Sequence, residues 1–315
     1  MPLRVAVQMD PLETINIQGD STFALMLEAQ ERGHSLYHYL ATDLTCDEGV
    51  VRAQARPVSV QRIAGAHYTA GERVTLDLRR DVDVVLMRQD PPFDMAYITA
   101  THLLEMVQPD TLVVNDPAEV RNAPEKLFVL RYQHLMPPTL VTRRLDEAEA
   151  FRARHSEIVV KPLFGNAGAG VFHIGAGDPN LPALVEMFSG QMREPFMVQK
   201  FLPQVRLGDK RIVLVDGAPA GAINRVPRDG EIRSNLAAGG RAASTDLTAR
   251  EQEICATIGP DLKARGLLFV GIDVIDGYLT EINVTSPTGI VAIDAFNGTN
   301  TPACIWGAIE ARIAN

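Results

Sequence analysis

Near the C-terminus, residues 269–275 and 279–284 are apolar runs on either side of Asp276-Gly277, and they carry Asp273, Glu281 and Asn283. Runs of this kind make a hairpin with one face buried, and a carboxylate inside it is costly unless a cation faces it. Because strand side chains alternate, Glu281 and Asn283 share a face. Asp273 joins them in one register only. A two-residue turn at Asp276-Gly277 pairs Asp273 with Thr280, whereas a three-residue loop that includes Tyr278 pairs it with Glu281. The apolar pattern favours the odd loop, which gathers Val270, Ile272 and Val274 with Thr280, Ile282 and Val284 on the other face. Three hard oxygen donors suit Mg²⁺, which takes one or two carboxylates and completes its shell with phosphate oxygens. A solvated polar hairpin face is the competing reading, and so short a pattern does not separate the two.

The first third of the chain alternates strand and helix signals. Residues 3–9 form a strand, Asp20 is a good N-cap for a helix running to Arg32 with Gly33 as its stop, and residues 83–87 form a buried strand ending in the proline loop Arg88 to Asp94. Another strand, 112–115, again runs into a proline turn. This pattern predicts a parallel sheet with ligand groups at the carboxyl ends of its strands. The texture changes near residue 122, which predicts three units: 1–122, 123–200 and 201–315. Strand 158–162 precedes the glycine-rich stretch Gly165 to Gly170. Residues 197–199 lead through Lys200, Phe201 and Leu202 into strand 210–215, a hairpin at Asp216-Gly217 and a return strand ending near Arg225. A capping box, Thr248 with Glu251, opens a helix closing at Gly266.

Thirty basic against 39 acidic residues leave a charge of −9 and a pI near 5.3, the wrong sign for a surface that binds nucleic acid or anionic lipid. Small anions remain open, because a local cluster of cations can dominate one cleft. No stretch approaches the roughly 20 apolar residues of a membrane span, and the N-terminus lacks a signal-peptide pattern. Cys46, Cys255 and Cys304 are too dispersed for a disulfide framework, so a reducing cytoplasm is expected. None of the seven histidines falls in a metal-binding motif, and each reads as a surface or satisfied core imidazole.

Lys161 closes its strand just before the glycines, so its ammonium and the loop N–H groups could face one polyphosphate. The lysine precedes the glycines, so this is no Walker A loop, and the dinucleotide spacing is absent. Residues 226–241 hold Arg228, Arg233 and Arg241 among Gly230, Gly239 and Gly240, a composition suited to a lid over an anionic intermediate or to a mobile surface connection. Arg211 and Arg225 flank the preceding hairpin as candidate fixed cations.

These blocks together resemble the ATP-grasp ligases, in particular the prokaryotic glutathione synthetases. The resemblance runs through Met87-Arg88 with residues 90–94, Glu125-Lys126-Leu127-Phe128, Val160-Lys161-Pro162-Leu163, residues 208–211, residues 235–241 (NLAAGGR) and residues 280–288 (TEINVTSPT). It implies α/β and α+β architecture: an N-terminal parallel-sheet α/β domain followed by a two-lobed ATP-grasp domain with the nucleotide between its lobes. By the family pattern Lys126 and Lys161 contact phosphates, and Gln199, Lys200, Phe201 and Leu202 line the adenine pocket. Gly165, Gly168 and Asp209 belong with the nucleotide, and Asp273, Glu281 and Asn283 hold Mg²⁺ or Mn²⁺. Arg211 and Arg225 steady the reacting carboxylate, with Arg233 and Gly240 in the catalytic set.

The implied reaction phosphorylates the cysteinyl carboxylate of γ-glutamylcysteine with ATP, and glycine's amine then displaces phosphate. The resemblance also suggests a homo-oligomer, a tetramer. Three departures stand out. Phe164 occupies a place where the family has an acidic residue, and Asn166-Ala167 replaces glycines. Val291 stands where the family pattern has an arginine that could clamp a substrate carboxylate.

Overall fold

The computed structural model describes residues 2–165, 168–236 and 239–314; Asn166 and Ala167 of the glycine-rich stretch and Ala237 and Ala238 of the 226–241 segment lie outside the described residues. Among the described residues, three sheets organise the fold. In the first, Ser35–Tyr39, Arg4–Gln8, Val84–Met87 and Leu112–Val114 lie side by side and parallel, as the alternating signals predict. Asp20 caps the intervening helix Ser21–Glu31 by accepting from the Phe23 N–H. One edge departs from the parallel expectation. The strand Val50–Val60 pairs antiparallel with Ser35–Tyr39 and carries three further short antiparallel strands. Its first half alternates buried with more exposed positions, as suits antiparallel strands covered on one face only.

The second sheet is antiparallel, in the order Phe172–Ile174, Ile158–Pro162, Phe196–Lys200, Thr139–Thr142. Its core is its own: Ile158, Val160, Ile174, Phe196 and Val198 pack with Phe151, Leu184 and Phe188 of the helices Leu145–His155 and Leu181–Gln191. The third sheet runs Arg241–Ala243, Ala218–Val226, Asp209–Val215, Phe269–Ile275, Tyr278–Asn283. Thr248 and Glu251 form the expected capping box on the helix Ala249–Ala264.

The first and third sheets are fused through shared cores. Val5 and Val84 pack in one cluster with Val213, Phe269 and Trp306, while Leu104 and Val113 join Ile212, Ile258 and Ile282 in another. Asn115 fastens the two sheets: its amide donates to the Phe269 and Val284 carbonyls, and its oxygen accepts from the Phe269 N–H. The C-terminal helix Thr301–Ile313 returns to the N-terminal helix, where the Trp306 indole N–H donates to the Leu25 carbonyl.

The hairpin at 269–284 corrects the expected loop while keeping its consequence. Ile275 pairs with Tyr278, so the turn is the two-residue Asp276-Gly277. Asp273 nonetheless faces Glu281, because a β-bulge leaves Thr280 as the extra residue between the Val274–Leu279 and Asp273–Glu281 pairs. Leu279, not Thr280, therefore joins the apolar face, and the Thr280 hydroxyl donates to the Asp273 carbonyl.

Candidate active site

A cleft of about 430 Å³ opens between the four-stranded and five-stranded sheets, with Asp90 and Pro91 of the proline loop at its rim. Every residue given a catalytic, nucleotide or metal role by the family pattern lines it except Gly240, and of the three arginines in the 226–241 segment only Arg233 does so. Gly240 shapes the loop instead: a Cβ there would stand 2.0 Å from the Ser234 carbonyl oxygen, and its N–H donates to Asn235. Gly168, with a φ of 77°, meets the same loop, and a Cβ on it would come within 3.0 Å of Asn235 Oδ1.

The floor of the cleft is an ion-pair network on neighbouring strands. Arg211 lies opposite Asp273 in the ladder and grips its carboxylate bidentately, Nε to Oδ1 at 2.6 Å and Nη2 to Oδ2 at 3.0 Å. Arg225 reaches the same carboxylate at 2.9 Å and also pairs with Asp209, whose other oxygen accepts from the Ser234 hydroxyl at 2.6 Å. Asp209 thus fixes Arg225 and has both oxygens committed. Burial by itself would raise the Asp273 pKa, yet the two guanidiniums hold it well below the usual carboxylate range. Burial pushes Asp209 the other way, up, against the pull of Arg225. Among the described residues, Arg225 Nε is buried with no hydrogen-bond partner. A donor in that condition at a cleft wall is suited to an incoming anion.

The opposite wall carries ammonium groups. Lys161, from the strand Ile158–Pro162, stands 3.4 Å from Glu281 Oε1, and Lys126, on the short helix Glu125–Phe128, stands 3.7 Å from it. Lys126 also pairs with Glu125 and donates to the Gly165 carbonyl at 2.9 Å. Burial lowers the Lys161 pKa, whereas for Lys126 burial is outweighed by Glu281 and Glu125, and its pKa rises. Glu125, buried and repelled by Glu281, is pushed up to about 7.

The donor set fits a hard divalent cation. Asp273 and Glu281 face each other, Asn283 lies within 3.4 Å of Asp273, and Glu281 is engaged only at long range by the two lysines. A carboxylate has about four acceptor positions, and on Asp273 the arginines and the Asn283 amide occupy them, so a cation there would take the place of the long 3.4 Å Asn283 contact. Among the described residues no group of three or more His, Cys, Asp or Glu side chains gathers as a metal cluster, so an amide oxygen has to complete the protein's share.

Arg233 reaches the cleft from the 227–240 segment and pairs with Glu231. Gln199 donates to the Thr139 hydroxyl, and Phe201 and Leu202 continue the same wall. Val291 packs half-buried against the shared core and offers no polar group. Two ring pairs form besides these contacts, and of their members Phe201 lines the cleft. Phe164 stacks on Phe93 at 6.2 Å, and His173 stacks behind Phe201. No motif announces either pair, because each joins residues distant in sequence.

A family model described as the N-terminal domain of prokaryotic glutathione synthetase matches residues 3–121, and one described as its ATP-grasp domain matches residues 125–298. The chain is 57% identical over 312 residues to a glutathione synthetase of Brucella melitensis, covering 99% of this chain and 100% of that protein. It is 58% identical over 314 residues to the glutathione synthetase of Rhodopseudomonas palustris, covering 100% of both. Among solved structures, the D-cycloserine synthetase DcsG aligns with a TM-score of 0.68 at 16% identity, over 98% of this chain and 99% of that one. The ATP-grasp ligase PsnB aligns with 0.63 at 19% identity, over 99% and 98%. At such identities these two structures speak for the ATP-grasp fold alone.

Proposed function

The chain belongs to the prokaryotic glutathione synthetase family, and from that premise we propose that it joins γ-glutamylcysteine to glycine with ATP, giving glutathione, ADP and phosphate. The observation that carries this reading is similarity along the whole chain to proteins of that name. The geometry supplies the roles.

A carboxylate's oxygen is too poor a leaving group for an amine to displace at neutral pH, so it must first be phosphorylated. Arg211 and Arg225, held on adjacent strands by Asp273 and Asp209, are set to receive the cysteinyl carboxylate, and the unmet Nε–H of Arg225 is the donor free to do so. One carboxylate oxygen then bonds to the γ-phosphorus as ADP departs, with Lys126 and Lys161 facing the charge on the phosphoryl oxygens. Glycine's amine attacks the acyl carbon, the arginines stabilise the oxyanion, and phosphate leaves. Arg233 and Ser234, which line the cleft from the 226–241 segment, shield the acyl phosphate from water that would hydrolyse it. Gln199 to Leu202 line the base subsite, and Gly165 and Gly168 admit the phosphates to the backbone. Asp273, Glu281 and Asn283 would hold Mg²⁺ or Mn²⁺, which when bound draws charge from the phosphate oxygens.

The proposal includes three structural units, 1–122, 123–200 and 201–315, and a cytoplasmic homotetramer. No helix among the described residues is long and apolar enough to cross a membrane, and the three cysteines are free. Incubation with ATP, Mg²⁺, γ-glutamylcysteine and a panel of amines tests the reaction. Glutathione, ADP and phosphate should appear in equal amounts with glycine; phosphate release with alanine or a larger amine but not with glycine would overturn the assignment.

A further inference from the structure

Residues opposite one another in a sheet ladder present their side chains on the same face. In the four-stranded sheet one such row reads Thr139, Gln199, Val159, His173. Gln199 and Val159 line the cleft, while the flanking Val160 and Val198 turn into the lobe's own core. His173 therefore ends the row on the cleft side, on the edge strand Phe172–Ile174.

Its imidazole lies flat against Phe201, ring centroids 4.0 Å apart and planes at 28°. Phe201 itself lines the cleft, one residue past the end of the strand Phe196–Lys200. Glu157 ties both members of the stack. Its carboxylate Oε2 is 2.7 Å from His173 Nε2, and its carbonyl accepts the Phe201 N–H at 3.0 Å. The imidazole is thus fixed at one edge by a hydrogen bond and against one face by a ring whose backbone is pinned to the same residue.

We propose that His173 is a positioning residue for nucleotide binding, holding Phe201 from behind as the aromatic wall of the base subsite. The inference rests on the reading of this cleft as an ATP site. A wall held in place before the base arrives gives up less freedom when the base docks, so the buttress acts on nucleotide affinity. The reacting carboxylate and the phosphates meet Arg211, Arg225, Lys126 and Lys161 on other elements, so kcat and the KM for glycine should not follow.

The test compares wild type, His173→Ala and His173→Phe as full-length chains, by steady-state kinetics and by calorimetric binding of a non-hydrolysable ATP analogue. An aromatic stack of this kind predicts that His173→Ala raises both the KM for ATP and the Kd for the analogue about three- to tenfold. It should leave kcat and the KM for glycine unchanged. His173→Phe, which keeps a ring, should return the KM for ATP to within about twofold of wild type. An unchanged analogue Kd in His173→Ala would overturn the inference. So would a parallel rise in the KM for glycine with a fall in kcat, which marks general damage, or a His173→Phe variant as weak as His173→Ala. A wild-type chain that binds no analogue would instead bring down the nucleotide reading itself, so the two failures are distinct.

Discussion

The two arginines on Asp273 and Lys161 near Glu281 stand on opposite walls of one cleft and are secured in different ways. The arginines belong to the body formed by the first and third sheets, where two cores and the Asn115 side chain bind the sheets together. Their contacts with Asp273 are short and buried. Lys161 belongs to the four-stranded lobe, which packs on a core of its own, and it meets the body through a 3.4 Å contact with Glu281. Groups that must await a reacting carboxylate in fixed geometry are built into the rigid body. Lys161, which must admit ATP and release ADP, sits on the part with the looser connection.

The two carboxylates measure this difference most strongly. Asp273→Asn and Glu281→Gln should each lower kcat by roughly a thousandfold, since each removes an anionic ligand of the cation that would draw charge from the reacting phosphate. Stability should divide them. Asp273→Asn leaves two buried arginines short of an anion and should cost about 3 kcal/mol in urea unfolding. Glu281→Gln should cost no more than about 1 kcal/mol, because its lysine contacts are long and its side chain is 21% exposed. Equal losses would mean that both walls are held alike.

The next effect is in the cores. Trp306→Ala and Phe188→Ala should each cost about 3 kcal/mol or more, as large-to-small core changes do. Hydrogen exchange should place the damage differently. Trp306→Ala should raise exchange in both strands next to Asn115 and in the N-terminal helix, because that core is common to them. Phe188→Ala should raise it within residues 139–200 only. Exchange spreading through the body in Phe188→Ala would show that the lobe is not independent.

The legibility of the sequence follows the same division. Within the body, the Asp273–Glu281 pairing is foreseeable because one-face burial specifies register, yet the route is not. Leu279 and Thr280 contribute one apolar and one polar residue whether the odd residue sits in the loop or in a bulge, and only the ladder distinguishes the two. The capping boxes and N-caps at Asp20 and Thr248 are local and appear as expected. The helix Thr301–Ile313 is missed, although Ile305, Trp306 and Ile309 all become fully buried, because its apolar face has meaning only against the distant helix Ser21–Glu31. In the lobe, Lys161 is foreseeable from the strand–glycine junction. His173 is not, because its place on the cleft face depends on three successive strand registers and reads locally as an ordinary edge-strand residue.

The smallest effect concerns the junction between the two regions, where Glu125 opens the short helix that carries Lys126. Burial and the charge of Glu281 push its carboxyl up to about 7, from an ordinary value of 4.5, against the pull of Lys126. A raised carboxyl pKa means that the folded chain holds this proton more tightly than the unfolded chain. The stabilisation is therefore complete below the unfolded value and is lost as pH rises through about 7. In Mg²⁺-free buffer the wild-type chain should lose stability across this window, with a contribution from Glu125 of under about 1 kcal/mol per pH unit. Glu125→Gln keeps a neutral side chain of the same shape, so the slope should flatten in urea titrations between the two pH values. An identical slope in both chains would mean that the carboxyl titrates normally, and that the junction bears none of the repulsion between Glu125 and Glu281.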